Sequence, residues 1–250
     1  MCRHIAYLGP AVPLGRVLAE PPFALYRQSW APRRQSHGTV NADGFGVGWY
    51  APGDPKPARY RRTGPIWADP SFVDLARVVR SRAFLAAVRD ATEGSAPDES
   101  AAAPYRAGRW LFSHNGAVAG WPGSVGPLAA QLPPEELLGL EARCDSALVW
   151  AMALRRLHGG AGLGDALADT VADIALLTRS RLNLLLTDGD TIAATAWGDS
   201  LWYRLESGSH VVVASEPYDD EPGWTEVADH TLVLATPYGI DTTPLKEPPL

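Results

Sequence analysis

Cysteine is scarce in this chain: Cys2 and Cys144 are the only two in 250 residues. Two cannot build a disulfide framework, and two free thiols in a reducing compartment are a stronger expectation than one bridge between such distant positions. No apolar run approaches the ~20 residues that a membrane-crossing helix needs, and the start lacks the charged-then-apolar order of a secretory signal. A cytoplasmic protein away from membranes is expected. Long basic stretches are missing too, because the net charge of -6 arises from interspersed acids and bases; this argues against a phosphate-tracking surface and against nucleic acid as a partner. No internal repeat is visible. Apolar residues are plentiful at 46%, enough for the core of one large domain.

Ile5 to Leu8 reads as a strand, followed by a proline-punctuated loop through Pro10 to Pro22. In "NADGFGVGWY", Asp43-Gly44 signals a turn, and Phe45, Val47 and Trp49 alternate with glycines at the period of a strand. Gly46 and Gly48 leave one strand face bare, which suits either tight sheet packing or a close ligand. A short helix is expected from Ser71 to Leu75, followed by the apolar run "AFLAAVRDAT". The stretch "EGSAPDESAAAPYRAG" at 93–108 has no periodicity and reads as a mobile surface loop, and "RWLFSHNG" after it as a strand. Asp145 or Ser146 can cap a helix that runs to about His158 and stops at Gly159-Gly160. A second helix, Asp165 to Leu177, places Leu167, Val171, Ile174 and Ala175 on one face. The last third predicts hairpins around Asp188-Gly189 and around Ser207 to Ser209, then the strand "HTLVLAT" and a proline-rich tail from Thr236 that wraps the surface. Strands, then helices, then antiparallel strands predict a single layered α+β domain over residues 1–250.

Cys2 stands directly behind Met1. Aminopeptidase trimming removes an initiator methionine readily when a small residue follows, and the freed α-amino group of a cysteine titrates near ~8, where it can accept a proton from a thiol of pKa ~8.5. Nucleophile and base then belong to one residue. A small cysteine buried at the start of a strand is the alternative. "SHNG" offers donors for a developing oxyanion, the Asn115 side-chain amide and the Gly116 N–H, although Asn-Gly is also a hairpin signal. On local grounds Asp145 is a helix cap and Arg89 a charge at a strand end. Cys2, His4, His114 and Cys144 lack paired-ligand spacing, so no metal is expected.

Taken together, "MCRHIAYLG", "NADGFGVGWY", "VRDAT", "SHNG" and "CDSALVWAM", in this order and at these separations, resemble the class II glutamine amidotransferase family of amino-terminal nucleophile hydrolases over nearly the whole chain. Within the family, the opening is most similar to the γ-glutamyl amidases of ergothioneine biosynthesis. The resemblance implies a four-layer αββα sandwich. It also implies roles: Cys2 as nucleophile, Asn115 and Gly116 as oxyanion donors, Arg89 on the substrate α-carboxylate and Asp145 on its α-ammonium, with Thr92 and His114 beside the pocket. One motif departs from the family, since Thr92 is followed by Glu93 and Gly94 where many members carry histidine and glycine. The implied activity is hydrolysis of a small γ-glutamyl amide, γ-glutamyl-hercynylcysteine S-oxide first, with no metal or organic cofactor. Two other readings remain open: a glutaminase subunit that delivers ammonia to a partner synthase, and a γ-glutamyl-binding sensor without turnover. Homo-oligomerisation is left open as well.

Overall fold

Side-chain alternation along the strands decides how this chain is layered. The computed structural model describes residues 2–91 and 98–247. In chain order the elements are β1 (Arg3–Pro13), α1 (Gly15–Leu18), α2 (Leu25–Gln28), β2 (Phe45–Trp49), β3 (Ala58–Arg62), α3 (Pro70–Val78), β4 (Arg80–Val88), β5 (Tyr105–Ala107) and β6 (Trp110–Ala117). Next come α4 (Gly126–Ala129), α5 (Pro134–Leu138), α6 (Asp145–His158) and α7 (Leu163–Ala175). The last third holds β7 (Arg181–Thr187), β8 (Ile192–Ala196), β9 (Trp202–Glu206), β10 (His210–Ala214), β11 (Trp224–Glu226), β12 (Thr231–Thr236) and β13 (Gly239–Pro244).

Two antiparallel sheets result, one of seven strands in the order β11-β9-β10-β1-β4-β2-β3 and one of six in the order β13-β12-β8-β7-β6-β5. Even-numbered residues of β1, Ala6 and Leu8, join Leu85, Leu111, Leu185 and Val213 in a core between the sheets. Odd-numbered Ile5 and Tyr7 face the other way and pack with Leu18, Phe72 and Phe84 under α1 to α3. Phe112, Leu184 and Leu186 likewise turn outward onto Leu148, Trp150, Leu167 and Val171 of α6 and α7. Three apolar seams between four layers make the αββα sandwich that the resemblance implies. Each fully buried aliphatic or aromatic side chain contributes ~1.5–3 kcal/mol.

Gly46 and Gly48 are bare because of packing between the sheets. A Cβ on Gly46 would overlap the Ala103 carbonyl, and one on Gly48 would lie 2.7 Å from Leu111 Cδ2. Both hairpins form where expected, with Gly189 at φ 94° and Gly208 at φ 75°. The second of the tandem helices runs Leu163–Ala175, two residues earlier than predicted at each end, with the predicted apolar face buried.

Three expectations need correction. β1 runs to Pro13, so the expected loop from Pro10 begins inside a strand, which continues past a register irregularity between Leu8 and Val12. The stretch 93–108 is not a loop throughout: a 3-10 turn at Glu99–Ala101 and β5 occupy it, Tyr105 pairing with Phe112 and being fully buried. Residues 92–97 lie outside the described ones. The tail from Thr236 does not wrap the surface, because Gly239–Pro244 pairs with β12 along its length as the edge strand of the six-stranded sheet. An edge tolerates Pro244, whose missing N–H costs no ladder bond there. Among the described residues, no helix is long and apolar enough to cross a membrane.

Candidate active site

The ladders bring the predicted residues together. Arg3 pairs with Val88, which sets Cys2 beside Arg89 at one end of the seven-stranded sheet. Across the inter-sheet seam, Asn115 faces Cys2: the Cys2 backbone nitrogen donates to Asn115 Oδ1 at 3.2 Å. The same amide's Nδ2 is buried and has no hydrogen-bond partner among the described residues. A buried donor left unpaired costs ~1–3 kcal/mol, so a fold that keeps one next to a thiol holds a place for an acceptor.

Gly116 follows on β6. Its φ is 152°, and a Cβ there would overlap the Arg181 carbonyl and lie 2.8 Å from His114 Nε2. Leu182 opposite it donates to Trp197 O, so strand alternation turns the Gly116 N–H away from β7. On that same side the Val118 N–H is taken by Asp145 Oδ2 at 3.0 Å.

Asp145 is the first residue of α6 rather than its cap, a position occupied by Cys144. One carboxylate oxygen accepts from Ser146 N at 2.8 Å and the other from Val118 N. Ser146 Oγ also donates to the first of these oxygens at 3.4 Å, so three of about four acceptor sites are used and one is left for an ammonium on the buried carboxylate. Arg89 is buried as well and donates from Nη1 to Asp43 O at 3.2 Å.

His114 engages protein through both ring nitrogens, Nδ1 with Ser146 Oγ at 3.0 Å and Nε2 with Arg181 O at 3.0 Å. A carbonyl can only accept, so Nε2 carries a proton and donates. The imidazole therefore braces Gly116 against α6. It lines the same cavity as Cys2, with both ring nitrogens engaged by protein.

One narrow cavity is lined by Cys2, Arg89, His114, Gly116 and Asp145 together. Tyr105, Cys144 and Ser146 line it as well. Sequence reasoning missed Tyr105, whose hydroxyl lies 3.2 Å from Cys144 Sγ and 3.3 Å from Ala101 O. Its signal was available: Gly108, at φ 50°, separates Tyr105–Ala107 from "WLF" as a hairpin turn. Wider clefts elsewhere, such as the one lined by Tyr7, Arg16 and His210, hold no cysteine.

Burial pushes the Cys2 thiol up, and Asp145 adds to the rise. The chain's amino terminus, the Asp90 N–H and the Arg89 guanidinium work against it. Burial also raises Cys144, which keeps it a thiol that packs at the pocket floor. Both cysteines are free. Thr92 and Glu93, the residues of the departing motif, lie outside the described ones.

Comparison with known proteins gives the family of the chain. The family described as glutamine amidotransferases class-II matches residues 17–208. A gamma-glutamyl-hercynylcysteine sulfoxide hydrolase of Mycolicibacterium smegmatis is 43% identical over 98% of this chain and 100% of its own length. A protein of the same name from Mycobacterium tuberculosis is 42% identical over 98% of this chain and 97% of its own. Among solved structures, a glutamine aminotransferase class-II domain protein from Silicibacter pomeroyi superposes with a TM-score of 0.70 at 26% identity, covering 98% of this chain and 100% of that one. The glutamine phosphoribosylpyrophosphate amidotransferase of Bacillus subtilis shares the fold at 17% identity and a TM-score of 0.65, with 98% of this chain matched to 49% of that one. With 192 of its 250 residues inside the family match (17 through 208) and full-length relatives above 40% identity, the chain belongs to the class II glutamine amidotransferases.

Proposed function

We propose that this protein hydrolyses γ-glutamyl-hercynylcysteine S-oxide to glutamate and hercynylcysteine S-oxide through a thioester on Cys2. The observation that carries the reading is a cavity that holds a thiol with a buried cation and anion, with the unpaired Asn115 amide donor on the side chain that accepts from Cys2 N. A γ-glutamyl group has an electrophilic carbonyl at one end and both a carboxylate and an ammonium at the other, and this cavity offers a partner for each.

Removal of Met1 frees the α-amino group of Cys2, held by Asn115 Oδ1 next to the thiol. The amine takes the thiol proton, and Cys2 Sγ attacks the δ-carbon. Asn115 Nδ2 and the Gly116 N–H stabilise the oxyanion as negative charge develops. The α-ammonium returns its proton to the leaving nitrogen, the C–N bond breaks and the amine departs. Water then adds to the thioester, with the free amine as base, and glutamate leaves. Arg89 holds the glutamyl carboxylate and Asp145 the ammonium, while His114 keeps Gly116 in place. Free thiols and a small-molecule substrate fit a cytoplasmic enzyme.

The relatives named as hydrolases match over their whole lengths and support this substrate over glutamine. The test is to offer glutamine, γ-glutamylcysteine and γ-glutamyl-hercynylcysteine sulfoxide to the purified protein and measure glutamate. Preference for the last supports the reading. Preference for glutamine, rising when a partner synthase is added, would replace it with ammonia delivery, and binding without amine release would replace it with a sensor.

A further inference from the structure

Ser146 stands between the two halves of the site. It is the second residue of α6 and lines the same cavity as Cys2, His114, Gly116 and Asp145. Its backbone N–H donates to Asp145 Oδ1 at 2.8 Å, and its hydroxyl oxygen lies 3.0 Å from His114 Nδ1 and 3.4 Å from the same Asp145 oxygen. A serine hydroxyl carries one proton, so the two acceptors compete for it.

Which acceptor holds that proton decides how His114 meets the oxyanion end. Nε2 of the buried ring lies 3.0 Å from Arg181 O, and a carbonyl only accepts. A neutral imidazole has a single N–H, so Nε2 can donate there only when Nδ1 accepts from Ser146. With the proton on Asp145 instead, Nδ1 would have to donate to Oγ, and a bare Nε2 would face the carbonyl lone pairs. The space beside that carbonyl is tight: a Cβ on Gly116 would overlap it and would lie 2.8 Å from Nε2. The chain beyond Gly116 is fixed as well, because Val118 N donates to Asp145 Oδ2 at 3.0 Å and Ala119 N to Ser180 Oγ at 3.1 Å. Hydrogen bonds therefore run unbroken from the Asp145 carboxylate through Ser146 and His114 to the Arg181 carbonyl that packs on Gly116.

We infer that Ser146 is a positioning residue that couples the ammonium end of the substrate to its oxyanion end. An anion is the stronger acceptor, so in the empty site the Asp145 carboxylate pulls on the hydroxyl proton in spite of the longer distance. A substrate ammonium seated on Asp145 cancels that pull. The proton then goes to His114 Nδ1, the Nε2–H tautomer is fixed, and Arg181 O and Gly116 are held for the developing oxyanion. This rests on the proposed γ-glutamyl hydrolysis, which supplies both the ammonium and the oxyanion. Its consequence is that the ammonium contributes to the chemical step as well as to binding.

The experiment compares γ-glutamyl-hercynylcysteine sulfoxide with glutaryl-hercynylcysteine sulfoxide, which lacks only the α-ammonium, by release of the amine common to both. For the wild-type protein, loss of the ammonium should lower kcat by about 2- to 12-fold, the worth of one neutral hydrogen bond, and raise KM by about tenfold or more. Ser146→Ala leaves the backbone bond to Asp145 in place and substitutes a good helix former. It should lower kcat for the glutamyl compound by the same 2- to 12-fold and make kcat equal for the two compounds, while the KM ratio stays as in wild type because Asp145 is intact. A merely structural Ser146 would lower kcat for both compounds alike. The wild-type comparison decides the matter alone if the variant fails to fold. A wild-type kcat indifferent to the ammonium, or a folded Ser146→Ala protein that keeps the wild-type kcat ratio, would overturn the inference while leaving γ-glutamyl hydrolysis standing. Release of the amine from neither compound would instead sink that hydrolysis and this inference with it.

Discussion

Asn115→Leu separates the two jobs that this side chain performs. The substitution keeps the branched skeleton at a fully buried site but puts two bulkier methyl groups where the amide O and NH2 stood. It deletes the 3.2 Å bond from Cys2 N to Oδ1 and the unpaired Nδ2. Losing one hydrogen bond costs ~0.5–1.5 kcal/mol, while removing a buried unpaired donor returns ~1–3 kcal/mol. Fitting the bulkier methyl groups costs ~1–3 kcal/mol, which offsets that return and leaves the net effect on folding within ~2 kcal/mol of zero. In a chain of this size 1 kcal/mol moves Tm by ~2–4 °C, so the variant should melt within ~8 °C of wild type. Catalysis should fall, because loss of one oxyanion donor costs ~2.7–4 kcal/mol of transition-state stabilisation, or ~100- to 1,000-fold in kcat. Differential scanning calorimetry and single-turnover glutamate release measure the two effects on one preparation. A Tm lowered by more than ~8 °C together with a kcat within tenfold of wild type would mean that Asn115 is a structural prop and that the empty donor serves no acceptor.

Other consequences can be checked in the same way. Cys2→Ala should abolish glutamate release while isothermal titration still detects γ-glutamyl binding. Arg89→Ala should act mainly on KM, weakening kcat/KM by about 10- to 150-fold, the value of a charged hydrogen bond. His4 is fully buried between the sheets, with Nδ1 3.2 Å from Ser113 Oγ. Burial first, then the charges of Arg3 and His114, push its pKa down to about 3. The unfolded chain binds that proton below pH ~6.5, so the stability tied to neutral His4 is complete above ~6.5 and is lost as the pH falls towards about 3. Urea unfolding across that window should fall less steeply for His4→Phe than for wild type; equal slopes would show that His4 does not titrate there.

Most of the site was legible because its chemistry is written in contiguous words. "SHNG" carries the two proposed oxyanion donors on one strand, and "CDS" puts Asp145 at a helix start whichever way the rest folds. Strand and hairpin positions in the last third followed from alternation and from glycines at the turns. What escaped was set by contacts distant in sequence. Tyr105 sits in a stretch of Ser, Ala and Pro with no period of its own, and it becomes a strand only because β6 offers an unpaired edge. The segment 33–41 has no periodic signal either, since its conformation comes from contacts with Glu216, Arg3 and Asp90. Gly46 and Gly48 were recognised as bare, but only the second sheet could say what fills the space.

The central position of β1 also has a bearing on how the enzyme is made. Ile5 pairs with Ala214, 209 residues later in the chain. At ~5–20 residues per second, a ribosome takes roughly 10–40 s to cover that interval. Throughout it the nascent amino terminus lacks its β10 neighbour and stays within reach of a methionine-removing peptidase. On the mechanism proposed above, the peptidase thus has its opportunity before the last third of the polypeptide emerges and β10 pairs with β1 beside Cys2.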